Sequence, residues 1–454
     1  MPNIVLIGAG STAFSIELLK DISMLPSLCG STLSLVDIDQ RRLDMAEYLV
    51  TKYCQESGMS LNIKAYTDRR PALEGAQFII CAVKVGGYEP LEKERIIAEE
   101  AGYYRGIGER VSCYYGGIGA YHQIVFLEKL ATDIEEICPD AWLIQTSNPV
   151  FEGTNYITRN FCVKTVGVCH GHNAYKEIVH ELGLDLKKVN VEIIGFNHWN
   201  WMTKFYYEGK DAYPLLDEWI KTRAEEYWKS ERFLDPNSIF SKDQLSPGAV
   251  EAYRIYGYMP IGDAVRAATP WWTHTDHETK NKWYGRNGGF DSKPGWDGYL
   301  ASKKELQDKL VKIMESGKPV MEALPPSETT EEHIPFIDSI TNGVERNLIL
   351  NVPNNGAITG LPDDILVEIP VICNATGIHN MRMGSLPSRL MNSVILPRLG
   401  TALSIMEAYE NHDREQLVLW LCNDIRTRSY KQAKDLIDKL LAQPWNKAAD
   451  AHYI

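Results

Sequence analysis

A short apolar run that stops on a glycine constrains this chain most. Residues 3 to 7 read Asn-Ile-Val-Leu-Ile, and Gly8-Ala9-Gly10-Ser11-Thr12-Ala13 follows at once. A brief, continuously apolar segment bounded by glycine is the pattern of a parallel strand covered on both faces. From Ser11 onward Phe14, Leu18, Leu19 and Ile22 fall on one side of a helix. In the G-x-G-x-x-A pattern the first glycine permits a tight turn, the second lets backbone approach a pyrophosphate, and the small third residue lets helix and strand pack. The helix N-terminus then offers N–H groups and partial positive charge to phosphates. Alone the motif is weak, since a glycine turn also occurs in folds that hold no dinucleotide. Asp37 strengthens it: the residue ends the next apolar run, where a carboxylate accepts from both ribose hydroxyls and repels a 2′-phosphate. NAD is therefore expected rather than NADP. The candidate cofactor contacts are Gly8, Gly10, Ser11, Thr12, Asp37 and Val83, the last near the end of the apolar run 77–85.

The alternation of strand and helix continues. Leu33 to Val36, 77–85 and 142–147 read as buried strands, with helical spacing after Asp37 and around 119–138. This predicts an α/β fold with a doubly wound parallel sheet. Past Pro149 the pattern changes. Strands are expected at 165–169 and 191–209 with a helix at about 174–183 between them, then an aromatic-rich stretch over 208–300, a helix at 302–316 and a mostly helical segment over 384–443. The expected division is residues 1–165 and 166–454. Trp219, Trp228, Trp271, Trp272, Trp283 and Trp296 fit a lid, an oligomer contact, a sugar-stacking wall or ordinary packing.

Composition removes several classes. With 454 residues, 44% hydrophobic and 24% charged, the chain is too apolar for disorder. Its 47 basic and 60 acidic residues leave a net charge of −13, which repels nucleic-acid backbones and anionic lipid. No run reaches the roughly 20 apolar residues of a membrane span, and no basic leader precedes the first strand. Nine scattered cysteines without CxxC spacing fit reduced thiols in the cytoplasm.

Polar residues gather where strands finish. Asn148 closes Thr-Ser-Asn-Pro, and Cys169-His170-Gly171-His172-Asn173 follows the run 165–168. Asn197-His198 stands in another strand segment. Cys169 and His198 make a candidate metal pair, although a lone cysteine is as readily a buried small hydrophobe and a lone histidine a satisfied core residue. In Tyr258-Met-Pro-Ile-Gly-Asp263-Ala-Val-Arg266, Asp263 reads equally as a general base or as a helix N-cap with a structural ion pair to Arg266.

Taken in order, GAGST, VDID, TSNPV, CHGHN, FNHWNW, PIGDAVR and NVPNNGAITGLPDDILVEIP resemble the NAD-dependent glycoside hydrolases of family 4 over nearly the whole chain. The Cys-His-Gly form resembles members acting on α-linked, unphosphorylated sugars, and CHGHN in particular resembles bacterial α-galacturonidases. One departure stands at 112–123, where Ser-Cys-Tyr-Tyr-Gly-Gly-Ile-Gly-Ala-Tyr-His-Gln lacks the arginine of the family's glycine-rich segment.

The resemblance implies a Rossmann-like NAD domain followed by an α+β domain for substrate, metal and oligomerisation. It also implies a hydrolase outside the two-carboxylate scheme. NAD would take a hydride from C3, the ketone would acidify the C2 proton, a base would remove it, the C1 substituent would leave, water would add and the hydride would return. Mn²⁺ or another divalent ion would chelate the C2 and C3 oxygens. By the same resemblance Cys169 and His198 are the metal ligands, Asn148 holds sugar hydroxyls, Asp263 is the base with Tyr258 its rival, and His170 assists departure of the aglycone. A uronide substrate would need a cation, for which Arg266 and Arg286 are candidates with His172 beside them. The expected partner is a small glycoside or oligogalacturonide, and the expected assembly a homodimer or homotetramer. The alternatives are an α-galactosidase, α-glucosidase or α-glucuronidase of the same family, a net NAD-dependent hydroxy-acid dehydrogenase, and a nucleotide sensor without catalysis.

Overall fold

The computed structural model describes residues 1–104, 118–234, 242–285, 288, 292–327, 329, 331–424 and 426–454, without the side chains of residues 12, 13, 119, 242 and 243. Its strands are β1 Asn3–Ile7, β2 Thr32–Val36, β3 Asn62–Tyr66, β4 Phe78–Cys81, β5 Trp142–Gln145, β6 Lys164–Gly167, β7 Val189–Phe196, β8 Trp199–Tyr207, β9 Lys210–Asp211, β10 Met259–Ile261, β11 Arg346–Pro353, β12 Leu366–Asn374 and β13 Gly377–Asn380. All belong to one sheet ordered β10-β8-β7-β12-β11-β6-β5-β4-β1-β2-β3, with β13 beside β12 and β9 beside β8.

Six strands run parallel in the order β3-β2-β1-β4-β5-β6, the doubly wound arrangement expected from the apolar runs. β6 meets β11 antiparallel through Asn351 and Gly167, and every later pairing is antiparallel. The expected boundary at 165/166 falls inside β6, and the sheet crosses it without interruption. Thus the second half of the chain extends the first half's sheet.

Helix α1, Thr12–Ser23, follows the glycine turn, and α2, Gln40–Ser57, follows β2. Asp39 caps α2 by accepting from the Arg42 N–H, and Gly58 closes it in the left-handed region. One core packs these helices against β1 and β2 through Leu19, Leu35, Leu49 and Tyr53, and continues to Trp201 and Ile369 of the antiparallel half. The other face is covered by the helix Ile118–Ile137 and the C-terminal helices around Leu436 and Tyr453.

The segment 191–209 departs from expectation as a hairpin of β7 and β8 around a two-residue turn, Asn197-His198. The helix anticipated before it is Tyr175–Glu181. Among the aromatic residues, Trp219 and Trp296 are core, whereas Trp271 and Trp272 are about half exposed.

Candidate functional site

The cofactor candidates converge at the carboxyl ends of β1, β2 and β4. The N–H groups of Gly8 and Ala9 donate to Val36 O at 2.9 and 3.0 Å, pinning the turn to the end of β2. Gly10 N donates to Asp37 Oδ2 at 2.8 Å, and a Cβ at position 10 would stand 2.5 Å from that oxygen. Only glycine fits there without displacing the carboxylate. A Cβ at Gly8 would meet Val83 Cγ2 at 3.2 Å, so Val83 lines the same turn. Ser11 is exposed at the head of α1 and its side chain caps nothing, while Thr12 opens the helix.

The second cluster is built by four segments from distant parts of the sequence. Asn148 stands three residues past the end of β5, and its Oδ1 is buried with no hydrogen-bond partner among the described residues. The neighbouring parallel strand, β6, leads into Cys169. The β7–β8 turn supplies His198 at φ +63°, a left-handed conformation costly for a side chain with a Cβ. Glycine would relieve that strain; histidine keeps an imidazole at the turn. The stretch after β10 supplies Asp263. Gly262 approaches so closely that a Cβ there would lie 2.6 Å from Gly171 O, pressing the Asp263 turn onto the Cys169–Gly171 turn.

Asp263 Oδ2 stands 3.3 Å from His198 Nε2, and its other oxygen accepts from the buried Arg266 guanidinium. Asp263 precedes the short helix Ala264–Ala267 but its carboxylate makes no capping bond. Of the structural alternative to a general base, the ion pair to Arg266 is present and the N-cap bond is absent. Burial pushes the Cys169 thiol pKa up, with Glu368 and Asp263 acting in the same direction, while the Gly171 N–H and the Asn197 side chain oppose them. Tyr258 lies elsewhere. Its ring packs 6.4 Å from Tyr213 at the Met202–Met259 end of the β8–β10 pair, and Asp263 follows the opposite end.

Glu368 is one residue the sequence reading missed. It is fully buried in β12 and accepts from Asn197 Nδ2 at 3.0 Å and Asn200 Nδ2 at 2.7 Å, holding the β7–β8 turn from beneath. His172 is buried between carboxylates, with Nδ1 3.7 Å from Glu368 and Nε2 3.4 Å from Glu332. Burial works against its cation, yet the two carboxylates outweigh burial and raise its pKa to about 9. His170 is exposed, and its Nδ1 is paired at 2.9 Å with Glu331, which raises its pKa. Arg286 lies outside the described residues, as do residues 112–117 of the glycine-rich segment 112–123.

The two clusters sit at carboxyl ends of adjacent strands of the parallel half, where open α/β sheets bind ligands. Among the described residues no group of three or more His, Cys, Asp and Glu side chains is arranged to hold a metal ion. A cation bound at Cys169 and His198 would need ligands beyond the described side chains, a requirement that substrate oxygens or water can meet.

A profile described as "Family 4 glycosyl hydrolase" matches residues 3–184, and one described as "Family 4 glycosyl hydrolase C-terminal domain" matches residues 193–427. The chain belongs to the family 4 glycosyl hydrolases. It is similar to an alpha-galactosidase of Bacillus subtilis (strain 168), 28% identical over 452 residues that cover 96% of each chain. It is also similar to an alpha-galacturonidase of Thermoanaerobacterium saccharolyticum, 24% identical over 456 residues, with 96% of this chain and 94% of the relative covered. A crystal structure of a 6-phospho-alpha-glucosidase from gut microorganisms, in complex with NAD and Mn²⁺, superposes with a TM-score of 0.77 at 18% identity and 97% coverage of both chains. Family membership places this chain among glycosidases rather than hydroxy-acid dehydrogenases.

Proposed function

We propose that this family 4 enzyme cleaves unphosphorylated α-glycosides, α-galacturonides foremost, using NAD and Mn²⁺. The observation that carries the reading is the Asp263–His198 contact, pressed against the Cys169 turn. A carboxylate, an imidazole and a thiol from three segments converge there. The Cys-His-Gly-His-Asn sequence and the galacturonidase relative support the substrate class.

The residues fit both cofactors. Gly8, Gly10, Ser11 and the head of α1 would cradle the pyrophosphate, with Asp37 on the ribose and Val83 against the turn; Thr12 belongs to the same segment. Cys169 and His198 form a soft and borderline donor pair suited to a divalent transition metal. NAD and the metal, when bound, would supply reversible hydride acceptance at C3 and polarisation of the sugar oxygens.

The chain's own residues do the rest. Asn148 offers an unpartnered carbonyl oxygen to a sugar hydroxyl. Asp263, oriented by Arg266, takes the proton from C2. Tyr258 is the rival base. His170 assists the departing oxygen at C1. For a C6 carboxylate Arg266 and Arg286 are the candidate cations, with His172 as a hydrogen-bonding neighbour.

A thiolate ligand needs a reducing compartment, which supports a cytoplasmic location; the eight described cysteines are all free. No described helix is long and apolar enough to cross a membrane. The half-exposed Trp271 and Trp272 support self-association as a homodimer or homotetramer. The test is a panel of p-nitrophenyl α-glycosides and galacturonide oligomers, with NAD, Mn²⁺ and thiol omitted in turn. The expected result is turnover of an unphosphorylated α-glycoside that needs all three. Stoichiometric NADH from a hydroxy acid without metal would support the dehydrogenase reading instead.

A further inference from the structure

Residues 329, 331, 332 and 333 join the two clusters. Thr329 N donates to Asp21 Oδ1 at 2.8 Å and its hydroxyl donates to Asp21 Oδ2, and Asp21 belongs to α1, the helix that opens on the glycine turn. Glu331 N donates to Thr329 Oγ1 at 3.2 Å. The largely buried Glu331 carboxylate lies 2.9 Å from His170 Nδ1 through one oxygen and 3.3 Å from His333 Nδ1 through the other. Fully buried His333 packs edge-on against Phe14 of α1, with ring centroids 5.5 Å apart. Glu332 reaches His172 at 3.4 Å.

His170 needs such a hold. Its side chain is 65% exposed, and an exposed imidazole otherwise samples several rotamers. Glu331 is itself held, its backbone N–H tied to Thr329 and its second oxygen packed beside the buried His333, so the contact of its first oxygen with Nδ1 restricts the His170 ring. The bond occupies Nδ1 and leaves Nε2 for a ligand.

We propose that Glu331 is a positioning residue for the glycosidase reaction: it fixes the His170 imidazole toward the sugar, and the Asp21–Thr329 contact sets that imidazole relative to the cofactor helix. This rests on the proposed glycosidase function and on His170 meeting substrate. Outer contacts that orient a reacting group typically change activity by about 10-fold to 100-fold. Glu331 lies outside every motif quoted from the sequence, in a segment that reads as a solvated acidic surface.

The test is a double-mutant cycle with His170→Ala, Glu331→Ala and the double variant, read as kcat and KM on the most active aryl α-glycoside. NAD affinity and melting temperature are measured alongside. Glu331→Ala is expected to lose about 10-fold or more in kcat with little change in KM, NAD affinity or melting temperature. The double variant is expected to match His170→Ala within about 3-fold, because a residue acting through His170 has nothing left to position. Should Glu331→Ala fail to fold, the isosteric Glu331→Gln replaces it in the same cycle. Losses that multiply, or a Glu331 variant as active as the parent, would overturn the inference while leaving the glycosidase reading intact. A parent protein inert on every α-glycoside would overturn that reading, and this inference with it.

Discussion

Asp263 and His198 face each other across 3.3 Å, joining a turn after residue 261 to a hairpin turn sixty-odd residues earlier. Each has a second anchor: Arg266 holds the other oxygen of Asp263, and the turn carrying His198 rests on Glu368 through Asn197 and Asn200. A carboxylate so held is aimed before substrate arrives, which is what a general base requires.

Replacing Asp263 with Asn is expected to lower kcat by about 10²-fold or more, the usual contribution of a general base. Tyr258→Phe should stay within a few-fold of the parent, because its ring lies against Tyr213. Steady-state kinetics on one aryl α-glycoside separates them; the reverse order would move the base to Tyr258.

The Gly10–Asp37 contact makes a separate prediction about cofactor choice. Asp37→Ala should weaken NAD binding about 10-fold, the loss of one or two hydrogen bonds to ribose, and narrow the preference over NADP. Gly10→Ala drives a methyl into Asp37 and should weaken NAD further. Calorimetric titration with both dinucleotides reads the two effects.

Chelation should abolish turnover and added Mn²⁺ restore it. Cys169→Ser should respond weakly to Mn²⁺, since a hydroxyl is a poorer ligand than a thiolate. Peroxide should inactivate the parent, with thiol reversing early damage. Full activity in chelator would exclude the metal role of Cys169 and His198.

Much of this was legible in the sequence, for reasons that differ by region. β1, β2, β4 and β5 are continuous apolar runs, so the strands could be placed, and Gly8, Gly10 and Asp37, read from the same runs, meet at the ends of β1 and β2. β3 escaped notice because Asn62–Tyr66 is an edge strand of mixed polarity. The hairpin turn at Asn197-His198 was hidden because aromatic residues continue through it without glycine or proline. Glu368 was overlooked inside Leu-Val-Glu-Ile-Pro-Val, although a lone charge in an apolar run must find buried partners. Glu331 and Glu332 were invisible for the opposite reason, since acids in a polar loop look solvated.

His172 gives the alkaline stability of the fold a sign. Burial disfavours its cation, but Glu332 and Glu368 raise its pKa from the usual value near ~6.5 to about 9. A raised folded-state pKa stabilises fully below the unfolded value and is lost as pH climbs through the folded one. In chelator, the melting temperature of the parent should therefore fall between about pH 7 and 9.5, and fall less steeply in His172→Gln. Parallel slopes would show that His172 is not the group responsible.

The central claim is that the C2 proton leaves during hydrolysis, and one measurement reads it directly. With NAD and Mn²⁺ in deuterium oxide, the sugar released from an α-glycoside should carry solvent deuterium at C2, by mass spectrometry and proton NMR. Hydrolysis that leaves C2 wholly protiated would contradict the account.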